Sequence, residues 1–185
     1  MRQKFIYLHI GEPKTATTYI QRLSVRNFDI LKHKFNIQYP KTGVKKHGGH
    51  HLFSRFCIYR GSSDFQFLDG EGIEFLYQHL NSNRDFCVIP ILYLRNWLHG
   101  AFSIWQQRIK GGLTTPFNEM FDGPLQEIIQ DQIKMVKSWS CFFRRQIKIV
   151  AYDNLKENQE DPLLFLIKNC LNIHDFYQKN ELELA

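Results

Sequence analysis

A chain of 185 residues with 43% hydrophobic and 15% aromatic side chains carries enough apolar surface for one packed domain, spanning residues 1–185, and this excludes a disordered or low-complexity protein. Its net charge of +6 suits an anionic ligand, yet the surplus is spread along the chain without a basic tail, so no nucleic-acid partner is expected. No apolar run reaches the ~18 residues of a transmembrane segment, and the first one is too short for a signal-peptide core, so a cytoplasmic protein is expected.

The first predicted element is a strand, Lys4 to Ile10, a short apolar run closed by Gly11. A helix follows from Thr17 to Asn27. Residues 39 to 51, YPKTGVKKHGGHH, are polar, glycine-rich and basic, and read as a loop over the sheet edge. Val88 to Leu94 predicts a second buried strand, Trp97 to Lys110 a helix, and Pro124 to Phe143 a longer one. In that longer helix Leu125, Ile128, Ile129, Ile133, Val136 and Trp139 recur at helical spacing, as a stripe facing the core. Ile147 to Tyr152 is the third predicted strand, and a last helix starts at Pro162 behind the capping residue Asp161. Strands alternating with helices predict an α/β fold in three layers, a central and mostly parallel sheet flanked by helices. Cys57, Cys87, Cys141 and Cys170 lie far apart without a CxxC pair, so buried free thiols are expected rather than a metal site or a disulfide framework.

The stretch HIGEPKTATTYIQ is where chemistry concentrates. In an open α/β sheet, ligands sit at the carboxyl ends of the strands, where the next helix offers free N–H groups and the positive end of its dipole. Gly11 allows a tight exit from the strand, Lys14 adds a full positive charge, and the hydroxyls of Thr15, Thr17 and Thr18 can donate to phosphate oxygens. The turn therefore reads as an anion cradle, with a turn that merely caps a helix as the plainer alternative. It is not a nucleoside-triphosphate loop, since GxxxxGK(S/T) needs a glycine beside the lysine and here the nearest stands three positions back. A second anion element follows the second strand. Arg95 ends that strand and Ser103 lies eight positions on (103 − 95), in the first turns of the next helix. An arginine can grip a phosphate in bidentate fashion and a helix-borne hydroxyl can complete the contact.

In this order along the chain, the two elements resemble those of sulfotransferases that use 3'-phosphoadenosine 5'-phosphosulfate, whose loops read G-x-P-K-(T/S)-G-T-T and Arg-x7-Ser. The resemblance implies a P-loop-like topology in which Gly11, Lys14, Thr15, Ala16, Thr17 and Thr18 hold the 5'-phosphosulfate, while Arg95 and Ser103 hold the 3'-phosphate. It further implies transfer of the sulfuryl group to a hydroxyl or amine of a glycan, lipid or small molecule, with 3',5'-adenosine bisphosphate as the product, Lys14 as the catalytic cation and no metal. Ala16 replaces the family's usual glycine, a change that is harmless at negative φ and strained at positive φ. Glu12 must point away from a polyanion.

Weaker similarities are YPKTGVKKHGGHHLFSRF, which resembles a family segment with a histidine pair, SSDFQFL, and IKIVAYDNL, where Asp153 replaces a glutamate at the end of a strand. The histidine pair implies His50 or His51 as the base, with His51 favoured; Asp64 and Glu12 are rivals, and a surface cluster with His47 is the plainer reading. Trp105 suits packing on the adenine and Gln21 a contact to the donor, although either side chain can equally serve the core. The family's late basic, glycine-containing loop has no counterpart after Leu155, so the domain is expected to be short at its C-terminus. Two alternatives stay open: a non-catalytic, nucleotide-binding relative of the same fold, and a P-loop-like kinase, which the missing loop motif and the lack of a magnesium-binding aspartate disfavour.

Overall fold

The computed structural model describes residues 4–11, 15–40, 70–81, 86–112, 114–120, 124–144 and 146–173. Three parallel strands form the sheet: β1 (Lys4–Gly11), β2 (Phe86–Leu94) and β3 (Lys148–Ala151), in the order β1-β2-β3. Lys4 to Gly11 pair residue for residue with Phe86 to Tyr93, and Ile91 to Leu94 pair with Lys148 to Ala151. The central strand accordingly reads as a near-continuous apolar run, with Ile91, Leu92 and Tyr93 wholly buried. Pro90, which has no N–H to give, lies one residue before the β3 ladder begins.

Seven helices flank the sheet among the described residues: α1 (Thr17–Arg26), α2 (Phe28–Phe35), α3 (Gly70–Asn81), α4 (Trp97–Lys110), α5 (Pro124–Phe143), α6 (Tyr152–Glu157) and α7 (Pro162–Phe165). A short 3-10 turn (Phe117–Met120) precedes α5 and a π turn (Leu166–Cys170) continues α7. Two hydrophobic clusters occupy the two faces of the sheet. On one, Ile91, Tyr93 and Val150 pack with Ile20 and Leu23 of α1, Leu31 of α2 and Leu163 of α7. On the other, Val88 and Leu92 pack with Ile73 and Leu76 of α3 and with Met135, Trp139 and Phe143 of α5. Each such buried side chain contributes roughly 1.5–3 kcal/mol over leaving it exposed, which makes these clusters the main support of the three layers.

The expected three-layer α/β architecture is therefore observed. Four details differ. Helices α2 and α3 occupy ground that the chain-order reading left unassigned. The buried line of α5 is Met135, Trp139 and Phe143 at four-residue spacing, whereas Ile133, assigned above to the core stripe, is 42% exposed because it lies on the other side of the helix from that line. β3 ends at Ala151, and Tyr152 and Asp153 open α6 instead of closing the strand. Cys170 is buried as expected, Cys87 is half-buried, and Cys141 is exposed, about half a helical turn away from Trp139 on α5; Cys57 lies outside the described residues.

Helix α7 is tied down by polar contacts. Asp161 Oδ1 accepts from the N–H groups of Leu163 and Leu164 at 2.9 and 3.0 Å, the capping expected from the sequence. Its other oxygen accepts from the Tyr19 hydroxyl of α1. Tyr93 in the central strand donates to the Pro162 carbonyl at 2.9 Å, so sheet, α1 and α7 meet at one point.

Candidate functional site

Gly11 and Tyr93 are register partners, so β1 and β2 end side by side and both following turns emerge at the carboxyl edge of the sheet. This is the edge where an open parallel sheet takes its ligands. The strand spacing of ~4.8 Å puts the two turns within reach of one extended ligand.

The turn after β1 reaches α1 through Thr15 and Ala16. Thr15 is completely buried, and its hydroxyl lies 3.4 Å from that of Thr17, which is half-buried; Thr18 is exposed. Ala16 is the N-cap of α1, with φ 58° and ψ 17°, and offers no side-chain cap to the helix. Its carbonyl accepts from the Ile20 N–H at 2.9 Å, so the helix begins directly from this left-handed residue. The backbone here takes the conformation that glycine adopts freely and an alanine adopts with strain. Glu12, Pro13 and Lys14 lie outside the described residues, as do His47, His50, His51 and Asp64.

Below this turn, at the end of β1, His9 packs edge-on against Tyr93, with ring centroids 4.7 Å apart. Its Nε2 is buried with no hydrogen-bond partner among the described residues, and burial pushes the imidazole down to about 4, so it is neutral.

The turn after β2 centres on Arg95. Its Nε stands 3.6 Å from Asp153 Oδ1, its guanidinium carbon lies 5.9 Å from the centre of the Tyr152 ring, and its carbonyl accepts from Gln132 Nε2 of α5 at 2.8 Å. With 11% of its side chain exposed, the arginine is held at the edge of the sheet rather than waving in solvent. Asn96 then caps α4, its side chain accepting from the Leu98 N–H at 3.0 Å. Ser103 follows on α4, half-buried. Gly11 closes β1, Thr15 and Ala16 lead into α1, which Thr17 and Thr18 open, Arg95 follows β2, and Ser103 lies in the second turn of α4.

The contacts of Asp153 and His99 were not foreseen. Asp153, in the first turn of α6, accepts from the Asn96 N–H through one oxygen and from His99 Nδ1, at 3.0 Å, through the other, the same oxygen that faces Arg95. Burial works against its charge, but the Asn96 N–H, His99 and Arg95 outweigh it and hold the carboxyl below its usual range. Asp153 is thus ionised at neutral pH and braces two basic side chains at once. A usable signal existed in the spacing, since His99 stands four residues before Ser103 on the same helix.

Trp105 lies half-buried on α4. It clusters with Phe102 and Phe117 at centroid distances of 5.5 and 5.6 Å, and its Nε1 donates to the Thr115 carbonyl at 2.9 Å. Gln21 is half-buried on α1. Among the described residues no group of three or more His, Cys, Asp or Glu side chains is placed to hold a metal ion, and no helix is long and apolar enough to cross a membrane.

No protein-family model and no curated protein matches the chain. Among solved structures it is similar to the crystal structure of a sulfotransferase from Alicyclobacillus acidocaldarius, at 15% identity and a TM-score of 0.49, over 93% of this chain and 80% of that one. So distant a likeness leaves the reading of the site to this chain's own residues.

Proposed function

We propose that this chain is a single-domain sulfotransferase that moves the sulfuryl group of 3'-phosphoadenosine 5'-phosphosulfate to a hydroxyl or amine of a glycan, lipid or small-molecule acceptor. The observation that carries the reading is the placement, on adjacent parallel strands, of two elements whose chemistry suits anions: the Thr15–Thr18 helix start after β1 and the braced Arg95, with Ser103, after β2. A donor with phosphates at both ends of its ribose needs two such points at one edge of a sheet.

In this reading the helix start at Thr17, with the Thr15, Thr17 and Thr18 hydroxyls, holds the 5'-phosphosulfate. Arg95 and Ser103 hold the 3'-phosphate. The acceptor oxygen or nitrogen attacks sulfur in line; the new bond to sulfur forms as the bond from sulfur to the bridging oxygen breaks, and its electron pair leaves on the 5'-phosphate. Lys14 neutralises the bridging oxygen as that charge grows. His51, or its neighbour His50, takes the acceptor's proton, an assistance worth about 10²- to 10⁴-fold. Positioning and charge neutralisation do the rest, as in phosphoryl transfer, and the scheme calls for no metal.

A second reading is a nucleotide-binding relative that no longer catalyses, favoured by the strained Ala16 at the point where the family's loop has glycine. Incubation with radiosulfate-labelled donor and a panel of glycan, lipid and phenolic acceptors separates the two. Label transferred by the wild-type protein and lost in Lys14→Ala supports the enzyme; tight donor binding without transfer supports the relative. Transfer of phosphate from ATP with magnesium, without use of the sulfated donor, would refute both in favour of a kinase.

A further inference from the structure

We propose that His99 is a third contact to the donor's 3'-phosphate, with Asp153 as the residue that positions it. The inference rests on the donor reading above.

The ionised Asp153 accepts at 3.0 Å from Nδ1 of His99, so that nitrogen carries the hydrogen and the opposite nitrogen, Nε2, points away from the carboxylate. The His99 side chain is 54% exposed, leaving the ring accessible to a ligand. His99 and Ser103 are four residues apart on α4, hence one turn apart on one face, and Arg95 immediately precedes the helix cap Asn96. An anion that meets Arg95 at one side and Ser103 at the other lies across the turn that His99 occupies.

Asp153 ties these groups together. Its Oδ1 faces both Arg95 Nε and His99 Nδ1, and its other oxygen holds the Asn96 N–H, so one carboxylate from α6 fixes the arginine, the imidazole and the start of α4. Among the described residues, Asp153 and Arg95 are the charged groups gathered here, Tyr152 stacks under the arginine, and α5 brings the neutral Gln132 to the Arg95 carbonyl.

Held between the Asp153 carboxylate and a phosphate dianion, an imidazolium donates from Nδ1 to the one and from Nε2 to the other. Because His99 follows β2, while Lys14 follows β1, its place is at the 3' end of the donor and not at the reacting sulfur.

The test is calorimetric titration of the full chain with 3',5'-adenosine bisphosphate and with adenosine 5'-phosphate, at neutral pH. The wild-type protein is expected to prefer the bisphosphate. His99→Asn should weaken the bisphosphate about tenfold or more and leave the 5'-phosphate unchanged. Asp153→Asn should weaken the bisphosphate in the same selective way and Asp153→Glu restore most of its affinity, a difference that a merely structural role would not produce. Unchanged bisphosphate affinity in His99→Asn, or equal weakening of both nucleotides, overturns the inference while leaving the donor reading intact. Failure of the wild-type protein to bind the bisphosphate overturns both.

Discussion

Replacing Ala16 by glycine should stabilise the fold, against the usual expectation that glycine at a helix end loosens it. Ala16 sits at φ 58° and ψ 17°, with its carbonyl already starting α1 through the Ile20 N–H. For an L-residue with a Cβ, this left-handed conformation costs roughly 1–2 kcal/mol, and glycine removes that cost. Against this, glycine widens the unfolded ensemble by about 0.4–1 kcal/mol. The difference is a net gain of about 0.5–1 kcal/mol, or roughly 1–4 °C in Tm for a chain of this size. Asparagine, which tolerates the left-handed region and can cap a helix, should also gain. Valine, whose branched Cβ crowds a positive φ most, should lose at least about 1 kcal/mol relative to alanine. Urea unfolding followed by circular dichroism reads the series as shifts in midpoint at constant slope. Glycine less stable than alanine, or valine equal to it, would refute the assignment of strain to this residue.

Two further perturbations follow from the packing. His9 is held neutral by burial, with its pKa lowered from 6.5 to about 4, so the unfolded chain takes a proton that the folded one refuses. Its contribution is intact above pH ~6.5 and is lost as the pH falls towards 4, at up to ~1.4 kcal/mol per pH unit and roughly 3 kcal/mol in all; His9→Phe should flatten the stability profile across that window, and an unchanged slope would contradict the burial argument. Asp161→Ala removes two capping bonds and the partner of the Tyr19 hydroxyl, for a loss of about 1–3 kcal/mol in denaturant unfolding. Asp161→Asn keeps an oxygen for the cap and should cost clearly less.

The strands were legible because each is a short apolar run with turn residues at its end, and the parallel arrangement followed from their alternation with helices. Helix α3 had the same quality of signal in Ile73, Leu76, Tyr77 and Leu80 at helical spacing, although the linear reading passed over it. Helix α2 was passed over as well, although Phe28, Leu31 and Phe35 of FDILKHKF stand at i, i+3 and i+7 with Leu31 buried. A run of eight residues is too short to hold a helix by itself, and tertiary packing fixes it. The exposed Ile133 shows the same limit from the other side, since a stripe chosen by spacing alone selects a face only once the neighbouring helix is known.

At the candidate site, the glycine turn, the threonines, Arg95 and Ser103 could be singled out in the sequence, because anion chemistry restricts residue types and places them where strands end. The left-handed Ala16 was conditional in the sequence, since its cost depends on a dihedral that only the backbone supplies. Asp153 was visible as a residue in the right segment, but its role arises from a contact spanning 57 residues to Asn96 and 54 to His99, which no local spacing encodes.

The most direct measurement is the affinity of the wild-type chain for 3',5'-adenosine bisphosphate against adenosine 5'-phosphate, repeated in Arg95→Ala. A two-point grip predicts micromolar binding of the bisphosphate, a preference of about tenfold or more over the 5'-phosphate, and loss of that preference in the variant. Equal affinity for the two nucleotides, or a preference that survives without Arg95, would contradict it.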